Sequence, residues 1–285
     1  MKIPKRLMPL LDDGLIDQVE RQLLSGKEAT VYVVRCGDEQ RCAKVYKDVA
    51  QRSFKQAVEY REGRKQRNSR RARAMEKKSK YGREQQESSW HNAEVDALYK
   101  LAAADVRVPV PYGCVDGVLL MELVTDADGD VAPRLNDIEL TIEQAREGHE
   151  IMMSYAAKML CAGLVHGDLS SFNVLQDEHG PVIIDLPQAV DAAANNHAKD
   201  LFLRDVNNMT EFYAEFVPEL SQTDYGNEIW ALYESGDLEP DSKLSGHFEQ
   251  ELVAADVGSV LTEIEAAFEE EREKQARMNP DDDEY

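Results

Sequence analysis

The 285 residues suffice for one large domain or for two lobes around a cleft, and 42% hydrophobic with 31% charged residues fits a soluble globular protein with some highly solvated parts. No apolar run approaches the ~18–20 residues that cross a bilayer, and Cys36, Cys42, Cys114 and Cys161 form no C-x-x-C pair. No membrane partner is therefore expected, and reduced thiols rather than a zinc or disulfide framework.

The net charge of −22 hides an asymmetry: residues 47–83 hold fourteen Lys or Arg against four acids, whereas from Glu211 onward acids outnumber bases roughly five to one. A basic insert in an acidic chain points to an anionic partner or to docking on the chain's own acidic surface.

Residues 1–24 carry apolar positions at Leu7, Leu10, Leu11, Leu15, Ile16, Val19 and Leu23, which predicts one or two short helices broken at Asp12-Asp13-Gly14. Pro4, Pro9, Asp12 and Asp13 interrupt any signal-peptide core, so a cytoplasmic location is expected. Ser25-Gly26-Lys27-Glu28-Ala29 then leads into the strand-like Val31-Tyr32-Val33-Val34. Gly37-Asp38 marks a turn, and a second strand carries Arg41 to Tyr46. In such a hairpin the small residues at the mouth let backbone N–H groups approach phosphate oxygens, and Lys44 supplies a cation for them. Only Gly26 stands where a G-x-G-x-x-G loop would have three glycines, and no Walker A pattern occurs. Taken alone, the stretch reads as an ordinary hairpin lead-in; its order ahead of Lys44 and the loop described below gives it weight.

Residues 53–89 contain too few apolar side chains to offset ordering entropy, so a disordered or marginally helical insert is expected. Its Lys and Arg suit contact with RNA phosphates or another polyanion. Trp90 to Leu101 has helical apolar spacing. Glu94 is the acid on it expected to pair with Lys44, because Asp96 lies about 200° further round the helix. Val108-Pro109-Val110-Pro111 is extended, and Gly113 to Leu123 reads as a hairpin running into a lobe-joining linker. Adenine would be met there by backbone groups of Glu122 and Val124, with Met121 behind. Thr125 to Asp130 is acidic and turn-rich but lacks the spacing of a calcium loop. One long helix or two are expected from Thr141 to Leu164, another from Ala198 to Phe216, and another from Val253 to Phe268.

The densest chemistry lies at His166-Gly167-Asp168-Leu169-Ser170-Ser171-Phe172-Asn173, followed by Val182-Ile183-Ile184-Asp185. Asp168 and Asn173 can lie on one loop and face a common centre. Asp185, at the end of the next strand, completes an oxygen-donor site for a hard divalent cation such as Mg²⁺, which also binds substrate phosphates. The spacing looks like the kinase catalytic loop, in which one Asp handles the incoming hydroxyl while Asn and a later Asp bind metal.

With these residues placed, the sequence resembles the RIO-type atypical serine/threonine protein kinases, the first of their subfamilies most, over roughly Leu7 to Phe216. The resemblance rests on Ser25 to Ala29 with Val31-Tyr32, Ala43-Lys44-Val45-Tyr46-Lys47, Trp90 with Glu94, and Ala132-Pro133-Arg134-Leu135. To these it adds His166 to Asn173, Ile184-Asp185, and Leu203-Arg204-Asp205 with Asn207 or Asn208. It implies an α+β, reduced two-lobe protein-kinase-like fold with a small β-rich N-lobe and a mostly helical C-lobe. The expected divisions are an N-terminal helical segment 1–24, an N-lobe 25–124 with the basic flexible insert 53–89, a C-lobe 125–270, and an acidic tail 271–285.

The resemblance also implies ATP with Mg²⁺, Mn²⁺ being the alternative metal, and autophosphorylation of the chain on serine. A related implication is an ATPase cycle through an aspartyl-phosphate on Asp185. Position by position, Ser25, Gly26, Lys27, Glu28 and Ala29 form the phosphate loop, Lys44 holds phosphates and Glu94 orients it. Met121, Glu122 and Val124 serve adenine, Asp168 accepts the hydroxyl proton, and Asn173 and Asp185 bind metal. Family relatives act in small-subunit ribosome maturation, which makes a ribosomal subunit or rRNA the expected partner of the basic insert. Two departures bear on substrate docking: Ser171-Phe172 replaces an acidic-aromatic pair, and Asn195-Asn196-His197-Ala198 replaces a histidine-proline turn. No Ala-Pro-Glu motif follows Asp185. Two further readings stay open: a small-molecule phosphotransferase of the aminoglycoside-kinase type, and a ribosome-assembly binding module switched by nucleotide.

Overall fold

The computed structural model describes residues 3–26, 29–47 and 93–249. The chain divides into two compact units, Met1–Phe248 and Glu249–Tyr285, and the elements below belong to the first. Lys27, Glu28, the basic insert 53–89, Trp90, the helix expected at Val253 to Phe268 and the tail 271–285 lie outside the described residues.

A 3-10 turn at Lys5–Leu7 and α1 (Met8–Asp12) stand where short helices were expected. The next segment corrects the helical reading of 1–24, because Gln18–Ser25 is a strand, β1. The apolar residues read as one helical stripe serve different surfaces. Leu15 is 45% exposed, Val19 packs with Leu7, Leu10 and Ile16, and Leu23 packs with Val33, Cys42 and Leu123. Two register shifts against the next strand break the period-two alternation that would have marked β1 as a strand.

β2 (Ala29–Cys36) and β3 (Glu39–Tyr46) form the predicted hairpin. With β4 (Pro111–Val115) and β5 (Val118–Glu122) they complete an antiparallel five-stranded sheet of order β1-β2-β3-β5-β4. α1 and Ile16 cover one side through Tyr32, Val34, Val45, Val118 and Leu120. Helix α2, residues 93–103, sends Ala97, Leu98 and Leu101 into the main core.

The second lobe is built on α3 (Ile142–Cys161), a single 20-residue helix. Thr141 starts it with a capping box: its hydroxyl accepts the Gln144 N–H while the Gln144 side chain accepts the Thr141 N–H. Met152, Met153 and Leu160 of α3 share the core with Phe202, Val206, Met209 and Tyr213 of α4 (Ala198–Ala214). Burying each such side chain contributes roughly 1.5–3 kcal/mol. The two helices approach closely because Gly148 has no side chain; a Cβ there would lie 2.8 Å from the Tyr213 hydroxyl.

α5 (Tyr225–Ser235), which the sequence pattern does not predict, is capped by Asp224 and adds Ile229 and Trp230 to the same core. Between α3 and α4 run the short β6 (Leu164–Val165), the hairpin β7 (Val174–Asp177) with β8 (Gly180–Ile183), and β9 (Val190–Asp191). β6 pairs with β9, joining Val165 to Val190. The α+β architecture of a β-rich lobe joined to a helical lobe is the one expected.

Candidate active site

Strand alternation on β3 turns Lys44 toward the cleft, where it is 8% exposed. Its ammonium donates to Glu94 Oε1 at 2.7 Å and to Asp185 Oδ1 at 2.6 Å. Glu94, on α2, is 2% exposed and also takes a hydrogen bond from the Tyr46 hydroxyl. Asp96 faces solvent, as expected from its position on the helix. Burial alone would push the Lys44 pKa down; Glu94 and Asp185 outweigh it, so the pKa is raised and the charge is kept. Lys44 in turn holds the Asp185 carboxyl below its ordinary value.

The loop after β6 is fixed by its own first residue. His166 Nδ1 accepts the Asp168 N–H at 3.2 Å and Nε2 faces the Ile184 carbonyl at 3.1 Å. With Nδ1 accepting, Nε2 is the ring nitrogen that donates to that carbonyl. Gly167 follows at φ +81°, a left-handed conformation that suits glycine. From below, α4 takes hold of the loop backbone. Asp205 accepts the Gly167 N–H at 2.7 Å and the Leu169 N–H at 3.0 Å, Arg204 donates to the Gly167 carbonyl, and Asn208 Nδ2 donates to the Leu169 carbonyl at 2.9 Å. Burial raises the Asp205 pKa to about 6 despite these donors.

Asp168 therefore stands on a loop held from both sides. Burial pushes its carboxyl above the ordinary value, the direction that suits a group that must take a proton. Asn173 Nδ2 donates to the Asp168 carbonyl at 2.8 Å, and Gln188 Nε2 donates to Asp168 Oδ2 at 3.3 Å. With its amide N–H₂ engaged, Asn173 has Oδ1 left to offer a cation. The Ile184 N–H bonds to the Asn173 carbonyl at 2.9 Å, so the end of β8 and the loop are tied together. Asp185 follows at φ +66°, a strained conformation for a residue with a side chain.

These groups open on one cavity of about 680 Å³, a size that suits a nucleotide-like ligand. Gly26, Ala29, Lys44, Glu94, Met121, Glu122, Val124, Asp168, Asn173 and Asp185 all line it. Of the anticipated phosphate loop, Ser25 does not line the cavity; its hydroxyl lies 3.3 Å from that of Thr30. The Glu122 side chain is engaged elsewhere, bidentate with Arg107 at 2.7 and 3.0 Å, while Arg107 also reaches Asp177 at 3.2 Å. Burial would raise the Glu122 pKa, but Arg107 and the Val110 N–H outweigh it and lower it. The Val124 carbonyl accepts from Ala132 N–H.

Among the described residues no cluster of three or more His, Cys, Asp or Glu is arranged to hold an ion. Two oxygen donors lining that cavity, Asn173 and Asp185, fit Mg²⁺, which keeps several waters and shares its ligands with phosphates.

A family model described as the RIO domain matches residues 30–225. The chain belongs to the RIO family. Among its RIO relatives is the RIO-type serine/threonine-protein kinase Rio1 of Haloferax volcanii, 34% identical over 205 residues, covering 72% of this chain and 66% of that protein. Another is serine/threonine-protein kinase RIO1 of Homo sapiens, 30% identical over 209 residues, covering 73% of this chain and 35% of that protein. The chain thus matches about two thirds and about one third of the lengths of these two relatives. In fold it is similar to the crystal structure of the Rio2 kinase–ADP/Mg²⁺–phosphoaspartate complex from Chaetomium thermophilum. That match has a TM-score of 0.58 and 20% identity, and it covers 96% of this chain and 81% of that one.

Within the RIO pattern, the structure shows where the departures sit. Ser171 is buried and donates to Asn136 Oδ1 at 3.2 Å, whereas Phe172 is 53% exposed. Of the two asparagines after Arg204-Asp205, Asn208 is the one that reaches the loop. The sequence marks Asp205 only as part of a pattern and gives no sign of Arg107 or Gln188. Gln188 lies three residues after Asp185 and Arg107 precedes an extended Val-Pro run, positions that carry no mark in a single sequence.

Proposed function

We propose that this RIO-family chain is an ATP- and Mg²⁺-dependent serine/threonine protein kinase. The observation that carries the reading is the convergence of Lys44, Asp168, Asn173 and Asp185 on one cavity, with Lys44 already held by Glu94. Lys44 binds the phosphates and Glu94 keeps it aimed. The backbones of Glu122 and Val124 meet adenine, with Met121 behind and Gly26 and Ala29 above the phosphates. Asp168 accepts the proton of the incoming hydroxyl as that oxygen attacks the γ-phosphorus and ADP leaves. Asn173 and Asp185 hold Mg²⁺, which when bound neutralises charge on the phosphate oxygens.

The same site supports autophosphorylation on serine, since no Ala-Pro-Glu segment follows Asp185 to seat a separate protein substrate. An aspartyl-phosphate on Asp185 is the second reading, favoured by one observation: its side chain is 45% exposed in the cleft and already paired with Lys44. The fourteen cations of residues 47–83 support a ribosomal RNA partner and a place in ribosome maturation. No described helix is long and apolar enough to cross a membrane.

Incubation with γ-labelled ATP and Mg²⁺ tests the reading through the chemistry of the label. Acid-stable label on serine supports the kinase, and base-labile label lost from Asp185→Asn supports the acyl phosphate. Label on an aminoglycoside or sugar with none on protein overturns the protein-kinase reading. Full cellular function of Asp168→Asn favours a nucleotide-switched binding module.

A further inference from the structure

Among the described residues, two side chains reach the Asp168 carboxylate, and the nearer is Gln188. Its Nε2 lies 3.3 Å from Oδ2, while Asn173 Nδ2 makes its close bond to the Asp168 carbonyl, 2.8 Å, and reaches Oδ2 only at 3.5 Å.

The chain places Gln188 there by a short, well-anchored turn. The Ala189 N–H returns to the Leu186 carbonyl at 3.1 Å, closing Leu186-Pro187-Gln188-Ala189. Proline stands at the second position of that turn, where its fixed φ is favourable. Leu186 and Ala189, on either side, are 1% and 8% exposed and belong to the main core. The following residue, Val190, pairs with Val165, three residues ahead of Asp168. Gln188 and Asp168 therefore hang from the same β6–β9 ladder, and both line the cavity.

A carboxylate turns easily about its last torsion, which is broad rather than three-fold. Donation to Oδ2, from Gln188 at 3.3 Å and more distantly from Asn173 at 3.5 Å, limits that rotation and leaves Oδ1 for the acceptor hydroxyl. We infer that Gln188 is a positioning residue for Asp168, holding its carboxylate in the orientation that receives the proton. The inference rests on the reading of Asp168 as proton acceptor. An amide suits this role because it donates without carrying a charge that would either neutralise the base or compete for the phosphates.

The test uses the full chain and separates kcat from KM for ATP in wild type, Gln188→Ala, Gln188→Glu, Asp168→Asn and the Asp168→Asn/Gln188→Ala double variant. Both Gln188 variants are expected to lose about tenfold in kcat, the scale of one hydrogen bond lost from the transition state. KM for ATP should stay within about twofold, since uniform binding is untouched. Gln188→Ala reads the loss of the donor alone, whereas Gln188→Glu keeps the shape, removes the amide donor and sets a second carboxylate against Asp168. Since Gln188 acts through Asp168, adding Gln188→Ala to Asp168→Asn should cost nothing further. Wild-type kcat in Gln188→Glu, a loss confined to KM, or full additivity in the double variant overturns the inference. If Asp168→Asn itself turns over like wild type, the failure lies in the underlying reading of Asp168, and the inference goes with it.

Discussion

Lys44 Nζ lies 2.7 Å from Glu94 Oε1, joining the middle strand of the sheet to α2 across fifty residues of sequence. Both side chains are nearly sealed from solvent, so the pair gains its strength from mutual compensation rather than from hydration. Glu94→Ala leaves a buried ammonium with Asp185 alone. The expected cost is about 3 kcal/mol of folding stability, the range for breaking a buried pair, read by denaturant unfolding. A cost near zero would mean that Asp185 alone suffices for Lys44.

Asp205 holds the loop that carries Asp168 without touching the cavity. Asp205→Ala leaves the buried N–H groups of Gly167 and Leu169 without this acceptor. Each such loss costs roughly 1–3 kcal/mol. Thermal melting should show a marked drop, and kcat should fall more than KM rises because the loop shifts as a unit. Unchanged melting would show that Arg204 and Asn208 are enough.

His149 offers a pH test away from the site. It is buried between α3 and α4, bonded to Thr210 Oγ1 at 3.2 Å and set edge-on to Tyr213 and Tyr225, and burial lowers its pKa to about 4. The unfolded chain takes up this proton near pH 6.5, whereas the folded chain resists until about pH 4. The neutral ring's contribution is therefore complete above pH 6.5 and is lost as pH falls toward 4, by up to about 3 kcal/mol. His149→Gln, which cannot titrate, should show a flatter stability curve over that window. Parallel curves would contradict the assignment.

Arg107 joins Glu122, at the linker between the lobes, to the buried Asp177 of the β7–β8 hairpin. Arg107→Met removes that bridge and leaves the Glu122 carboxylate beside the cavity held only by the Val110 N–H among the described residues. KM for ATP is expected to rise several-fold, with stability lower by about 2 kcal/mol for the charge left on Asp177. A kinetic titration with ATP checks the first and denaturant unfolding the second.

What could be read from the sequence was whatever local pattern decides. The β2–β3 hairpin, α2, α3 and α4 have regular apolar spacing and turn residues at their ends, and Asp168, Asn173 and Asp185 share a short stretch with a recognisable interval. Pairing Glu94 with Lys44 was legible because helix geometry left Asp96 on the other side. β1 was not legible, since its apolar residues serve separate clusters and its register is set by β2 rather than by its own alternation. α5 escaped because its few buried residues, Ile229 and Trp230 among them, form no long stripe. Gln188 and Arg107 act through contacts made in space with residues 20 and 15 positions away, respectively, and nothing in the local sequence records them.

The most direct measurement is ATP turnover by wild type and Asp168→Asn, paired with equilibrium binding of nucleotide to each. If Asp168 takes the proton in this cleft, the variant binds nucleotide as wild type does and loses about a hundredfold or more in kcat. Equal turnover by the two proteins, or no binding of ATP with Mg²⁺ by wild type, would contradict it.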